Sequence, residues 1–325
     1  MIVDSHAHLV PPELIATIRK EQARFPGVRV IEEAGSIALA FAGGKPTRPI
    51  AKPLSDTAAR LAWMDKQGIA AQVVGGWVDM FGYELPAAEG EGWARLINDA
   101  LRAAAKAEPR FVPLATVPLQ DGARAAAVLK DSVAAGSPGV MIGTLPRGVG
   151  SVLDAADLDP FWKVADETGA VVHIHPSFDA GDRRVDDYGL ANAVGRISDA
   201  IVAVARLLCS GHVTRYANAK IVAPMGAAGL PFVLGRLKRN AAITPGVADP
   251  VEAIGRLYVD TILHDVRVLQ FVIAMLGTDR LMMGSDSPFP IGDLEPTKIV
   301  AAAGLKADQV AAVNGELAKK VFGIK

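Results

Sequence analysis

The chain opens on Ile2-Val3-Asp4-Ser5-His6-Ala7-His8, an apolar stub that runs directly into a His-x-His pair. In a strand, residues i and i+2 point to the same side, so His6 and His8 face one point if the strand carries through to them. Imidazole nitrogen is a good ligand for zinc and its neighbours, and carboxylate is acceptable. Two surface or capping histidines would read the same way, so the pair alone decides nothing. Its partners lie far downstream. His175 follows the apolar run Ala170-Val171-Val172, and Asp286 follows Arg280-Leu281-Met282-Met283-Gly284-Ser285. Short apolar segments spread over the whole chain therefore end in metal-ligand residue types. A barrel of parallel strands sets such ends side by side.

The rest of the chain fits that barrel. Short apolar runs predict strands at Ile2–Asp4, Ala71–Val74, Phe111–Ala115, Gly139–Ile142, Ala170–Ile174, Lys220–Ala223, Leu257–Val259 and Arg280–Met283. Between them, Ala- and Leu-rich patterns predict helices at Asp56–Gln67, Glu91–Ala107, Gly122–Ala134, Leu158–Thr168, Asp199–Leu208, Pro231–Asn240 and Val266–Leu276, with a closing helix near Ala307–Val321. Strand then helix, repeated, means a parallel sheet with crossovers. Eight such strands in 325 residues point to one α/β domain over 1–325, a (β/α)8 TIM barrel. Two stretches depart from the alternation. The segment from Pro11 to about Pro53 leaves the strand end that carries the histidines, so it is expected to be a lid insertion over the site. Ser177–Val194 leaves the strand that carries His175 and is expected to form a second wall.

Composition narrows the function. Half of the residues are hydrophobic, enough for a large core, and the net charge of −1 gives no reason to expect a nucleic acid or an anionic membrane surface as partner. The single cysteine, Cys209, excludes an internal disulfide; it fits a reducing compartment, with the side chain as buried filler. A first strand at Ile2 leaves no room for a signal peptide, and no apolar run approaches the length of a membrane span. The expectation is a soluble cytoplasmic enzyme.

Several motifs carry a resemblance. They are Asp4-Ser5-His6-Ala7-His8, Thr47-Arg48-Pro49, Met64-Asp65-Lys66-Gln67-Gly68, Val117-Pro118-Leu119-Gln120-Asp121, His175-Pro176, Leu234-Gly235-Arg236 and Gly284-Ser285-Asp286-Ser287-Pro288-Phe289-Pro290. In this order, over nearly the whole chain, the sequence resembles the metal-dependent decarboxylase branch of the amidohydrolase superfamily, the group around aminocarboxymuconate-semialdehyde decarboxylase. The resemblance implies a distorted (β/α)8 barrel with one divalent metal ion. Zinc is the first choice, and manganese and cobalt are accepted by the same donors. His6, His8, His175 and Asp286 match the metal ligands. Arg48 and Arg236 match positions that hold a substrate carboxylate, a task suited to a planar guanidinium. The Arg236 counterpart reaches into a neighbouring subunit's site, which implies a homodimer; a surface arginine in a salt bridge is the plainer reading of that residue.

One family position is broken. After the sixth strand the family carries a histidine that acts on metal-bound water or polarises the substrate. Here the segment reads Ile221-Val222-Ala223-Pro224-Met225-Gly226-Ala227-Ala228-Gly229, with Met225 at that place, and a thioether shuttles no proton at neutral pH. His173, two residues before His175, faces the same side of its strand. It either takes over part of the proton-transfer or hydrogen-bonding role, or is a histidine packed in the barrel floor. His212 and His264 read as structural. Trp77, Met80, Phe81 and Tyr83 follow the second strand end and either line an apolar substrate pocket or fill the core.

The leading expectation is a nonoxidative decarboxylase of an aromatic or unsaturated carboxylic acid, with the metal as Lewis acid and Asp286 as proton donor. The competing one is a hydrolase of a lactone, cyclic amide or related ring, with Asp286 as general base on water. A metal-binding protein without catalysis is a third, and only Met225 speaks for it.

Overall fold

Apolar runs such as Gly139–Gly143 and Val171–His175 are buried along their whole length, the state of a parallel strand covered on both faces. The computed structural model describes residues 1–325. Its strands are β1 (Ile2–His8), β2 (Val28–Glu33), β3 (Ser36–Phe41), β4 (Ile69–Gly75), β5 (Phe111–Pro113), β6 (Gly139–Gly143), β7 (Val171–His175), β8 (Lys220–Ala223), β9 (Tyr258–Asp260) and β10 (Leu281–Met282). β2 and β3 form a separate antiparallel hairpin. The other strands pair in parallel, as β1-β4-β5 and β6-β7-β8-β9-β10.

Backbone hydrogen bonds join these two sheets at both seams. Just past β5, the Ala115 carbonyl accepts from Met141 N at 2.8 Å. On the other side Ser5 N donates to Met283 O at 2.9 Å and His8 N to Ser287 O at 2.8 Å. The ring is therefore closed, and the fold is the expected (β/α)8 barrel. It is irregular at β1: Asp4 lies opposite Gln72 and Ala7 opposite Val74, so β1 carries one residue more than its neighbour over that span.

All eight expected barrel strands form. β1 runs on to His8, which meets the condition set for the histidine pair, and β10 is shorter than read. The helices Gly122–Ala134 and Val266–Leu276 have the expected bounds. Asp121 and Asp265 cap them by accepting from the first-turn amides.

Residues 11–53 carry small elements of their own, the helix Pro12–Lys20 and the β2/β3 hairpin. Leu14, Ile18, Phe25 and Leu39 of this insertion join the same apolar cluster as Trp93 of the helix Ala87–Ala107. Two segments differ from the reading. The helix read from Asp199 begins at Arg196, after a wide π-type turn at Ala191–Gly195. The closing helix is interrupted by a second such turn, Ala312–Glu316. Gly315 lies there so close to the start of β1 that a Cβ would stand 2.0 Å from the Met1 carbonyl oxygen. The final helix Leu317–Phe322 then plugs the bottom of the barrel, with Val321 and Phe322 packed against Val3 and Met282. No helix is long and apolar enough to cross a membrane.

Candidate metal centre

The C-terminal strand ends bring His6, His8, His175 and Asp286 together. One ligand atom from each lies within 4.8 Å of every other. His6 and His8 arrive from the end of β1, His175 from the last residue of β7, and Asp286 from the segment after β10. The Asp286 backbone is left-handed at φ 57°, a conformation that aspartate tolerates better than most residues.

Each imidazole is oriented through Nδ1. His6 Nδ1 bonds the Asp260 carboxylate at 2.8 Å, His8 Nδ1 the Gly76 carbonyl at 3.2 Å and His175 Nδ1 the Pro176 carbonyl at 2.9 Å. That fixes the tautomer and turns the three Nε2 atoms inward. His6 Nε2, His8 Nε2 and Asp286 Oδ1 are sealed from solvent, and none has a hydrogen-bond partner. His8 Nε2 is 3.0 Å from Asp286 Oδ1, and His6 Nε2 is 3.8 Å from it. Buried polar atoms that converge unpaired need an explanation, and a divalent cation between them supplies it. Three neutral imidazoles and a carboxylate fit zinc, manganese or cobalt.

The charge states of His175, His8 and Asp286 agree with that role, while His6 is held toward its charged form by the acids around it. Burial, with the nearby His8 and Arg196, pushes His175 well below the ordinary histidine value. Burial also lowers His8, against the pull of Asp286. Burial is the largest single effect on His6 and opposes its charged form, but the bond and charge of Asp260, with the charges of Asp286 and Asp4, together outweigh it and hold this ring above the usual value. Burial would raise Asp286, yet His8, His6 and Arg196 hold it below the ordinary carboxyl range. Asp286 is therefore a carboxylate at neutral pH.

A buried network supports the ligands from below. Asp4 accepts from Ser285 N at 3.0 Å, Ser285 Oγ at 2.5 Å, Gln72 Nε2 at 2.8 Å and His6 N at 3.2 Å. Arg60 donates to Gln72 Oε1 at 2.8 Å and to the His8 carbonyl. It ties β1, β4 and the segment carrying Asp286 into one frame.

The remaining expected site residues fall in different places. Arg48 is at the site's edge, in a side-on pair with Asp79 (Nε–Oδ2 2.9 Å, Nη2–Oδ1 3.2 Å). Its guanidinium carbon is 3.9 Å from the Phe178 ring centroid and 5.4 Å from that of Trp77. Trp77 is buried in the apolar cluster beneath Arg48, its indole N–H unpaired. Arg48, Asp79 and Phe178 line a cleft of 410 Å³, whose walls come from the insertion (41–48), the segment after β4 (78–84), the loop 145–149 and residues 177–179 of the second wall. Arg236 is exposed on the helix Leu230–Ile243 and joins no part of this cluster.

His173 is fully buried, with its ring centroid 4.4 Å from that of His6 and both nitrogens unpaired. Met225 opens a run of left-handed residues, 225–229, and its amide donates to Asp260 Oδ1 at 2.7 Å. His212 hydrogen-bonds Ser210 at 2.8 Å and packs edge-on to Trp162 and tilted against Tyr216, away from the metal cluster.

The amidohydrolase family profile matches residues 3–324. The chain belongs to the amidohydrolase family. Among its relatives, 2-amino-3-carboxymuconate-6-semialdehyde decarboxylase of Dictyostelium discoideum is 27% identical over 310 residues, 92% of this chain and 84% of that protein. Among solved structures, the 5-carboxyvanillate decarboxylase of Sphingomonas paucimobilis superposes with a TM-score of 0.80 at 24% identity, covering 100% of this chain and 99% of its own. A 5-carboxyvanillate decarboxylase of Novosphingobium aromaticivorans, solved with manganese and 4-hydroxy-3-methoxy-5-nitrobenzoic acid, gives 0.79 at 20% identity, covering 100% of this chain and 96% of its own.

In this amidohydrolase the chain marks Asp260 as the end of its seventh barrel strand, near the rim but with no assigned role, and gives no sign of Asp79, Phe178 or Arg196. The other three lie on loops or at a helix start, and nothing in the chain around them marks their side chains as facing the metal cluster.

Proposed function

We propose that this amidohydrolase is a metal-dependent, nonoxidative decarboxylase of an aromatic or unsaturated carboxylic acid. The observation that carries the reading is the set of three inward, unpaired donors, His6 Nε2, His8 Nε2 and Asp286 Oδ1, beside an arginine with a free edge. The relatives named above support it by their chemistry. His6, His8, His175 and Asp286 would hold the ion; zinc suits three imidazoles, and manganese is carried by a related decarboxylase. When bound, the metal supplies Lewis acidity next to the scissile carboxylate.

This chain's residues do the rest. Arg48 spends Nε and one Nη2 hydrogen on Asp79, so its Nη1 edge remains for the substrate carboxylate. Asp286, a carboxylate at rest, takes a proton from an acidic group of the arriving substrate. It delivers that proton to the carbon bearing the carboxylate. The carbon–carbon bond then breaks, its electron pair restores conjugation, and carbon dioxide leaves. The route needs no base at Met225, whose side chain would contribute apolar surface, as Trp77 would. His173 packs edge-on against His6 with both nitrogens unpaired, so it would be free to take up part of the proton-transfer or hydrogen-bonding role when substrate binds; an H173N variant with unchanged turnover would leave it a packed floor histidine. The insertion 11–53 is read as a lid, and Arg236 as a residue offered to the site of a second copy.

The test is isotopic. Metal-loaded protein is incubated with a panel of carboxyl-labelled aromatic and unsaturated acids, and labelled carbon dioxide is expected. Oxygen incorporation from water without carbon loss would replace this reading with ring hydrolysis, in which Asp286 is the general base.

A further inference from the structure

Arg196 is the charge at this site that the chemistry above leaves unused. It opens the helix Arg196–Cys209 immediately after the π-type turn. Its one hydrogen bond is a long one, Nη1 to the Pro176 carbonyl at 3.4 Å. Its Nε is sealed from solvent without a partner. Its guanidinium carbon lies 5.2 Å from the Phe178 ring centroid, and Arg48 stands over the same ring at 3.9 Å. Two guanidinium groups thus share one aromatic ring beside the metal ligands. Arg48 has Asp79; Arg196 is in no ion pair.

A guanidinium does not give up its proton. Left part-buried without an anion, it bears a desolvation cost that a bidentate acid partner offsets. Burial and the charge of Arg48 both weigh against its protonated form, and Asp286, Asp79 and Asp199 offset them only in part.

We propose that Arg196 receives a second acidic group of the substrate, which narrows the substrate class to aromatic or unsaturated acids carrying two anionic groups, dicarboxylates foremost. The first group lies at the metal and Arg48, and to that extent the inference rests on the reading above. A competing role is purely structural, because the Pro176 carbonyl also accepts from His175 Nδ1, so that Arg196 would merely steady a metal ligand.

Binding separates the two. Manganese-loaded protein is titrated by calorimetry with phthalate, isophthalate and terephthalate, with benzoate as the single-anion reference. At least one diacid is expected to bind about tenfold or more tighter than benzoate, the scale of one charged hydrogen-bonded pair. R196Q should bring that preference to within about twofold while benzoate affinity and manganese stoichiometry stay unchanged. R196K, which keeps the charge but not the fork, should lose several-fold, and it decides the matter if R196Q does not fold. The proposal is overturned if no diacid is preferred by the unaltered protein or if the preference survives both substitutions in full. It also falls if benzoate or the metal is lost along with the preference. Absence of carbon dioxide release from every acid would sink the decarboxylase reading and leave this binding result standing.

Discussion

Asp260 divides its carboxylate between two tasks. Oδ2 holds the His6 ring, while Oδ1 accepts from the amides of Met225 at 2.7 Å and Ile262 at 3.2 Å. One side chain thus couples a metal ligand to the turn after β8. An amide has a single acceptor oxygen, so D260N can keep one of these tasks and not both. We expect it to weaken metal affinity by about ten- to a hundredfold, the usual cost of removing a ligand's outer partner. Competition against a chromophoric chelator measures this, and an unchanged affinity would make Asp260 dispensable. The four donors themselves were legible in the chain, because a strand's period of two aligns His6 with His8 and because strand ends in a closed barrel converge. Their supports were not. Gly76 and Pro176 act through backbone carbonyls that any residue carries, and Asp79 pairs with Arg48 only once the insertion has folded back.

Among the elements, the turn at 225–229 is the most constrained. Five consecutive residues have positive φ, among them the non-glycines Met225, Ala227 and Ala228. Each such non-glycine costs about 1–2 kcal/mol, a strain held in place by the Asp260 bond and by the core around Ala227. At Gly226 (φ +59°) an added Cβ would stand 3.1 Å from Leu263 and Val272. G226A should therefore destabilise the protein by about 1–3 kcal/mol, read from urea unfolding. A change under about 0.5 kcal/mol would show that the turn relaxes freely.

The contact between the helices Ala87–Ala107 and Gly122–Ala134 gives a pH test. Burial would raise Glu91, but hydrogen bonds from Arg124 (2.6 Å) and Arg95 (3.1 Å) hold it below its ordinary 4.5. A carboxyl depressed in the folded state adds stability above 4.5, and that stability is lost as pH falls through the depressed value. The Tm of the unaltered protein should therefore fall further between pH 6 and pH 3 than that of E91Q, with the two curves converging at the acid end. Parallel curves would mean that the cluster adds nothing. Capped helices such as Gly122–Ala134 were readable because cap and periodicity agree. The β2/β3 hairpin was not, since Ser36–Phe41 is an Ala-rich run whose pairing depends on docking against Trp93.

Over the whole molecule, closure leaves no free strand edge in the barrel, and the helical shell carries the exposed apolar surface that association could use. There, large apolar side chains are exposed on two neighbouring helices: Phe232 (85%) and Ile243 (62%) on Leu230–Ile243, Val268, Phe271 and Met275 on Val266–Leu276. Arg236 follows Phe232 by four residues and so shares its helix face. A second copy seated on this surface would cover the apolar groups and carry Arg236 toward its neighbour's site. On that arrangement F232E would bury a charge in the contact, and it is expected to convert a dimer at micromolar concentration into a monomer, read by light scattering on a sizing column. Turnover should fall with it, while metal content and Tm stay close to those of the unaltered protein, because Phe232 touches none of the barrel core. An unaltered protein that is already monomeric, or an F232E variant that remains dimeric, would remove the second copy from this face and leave Arg236 a surface residue.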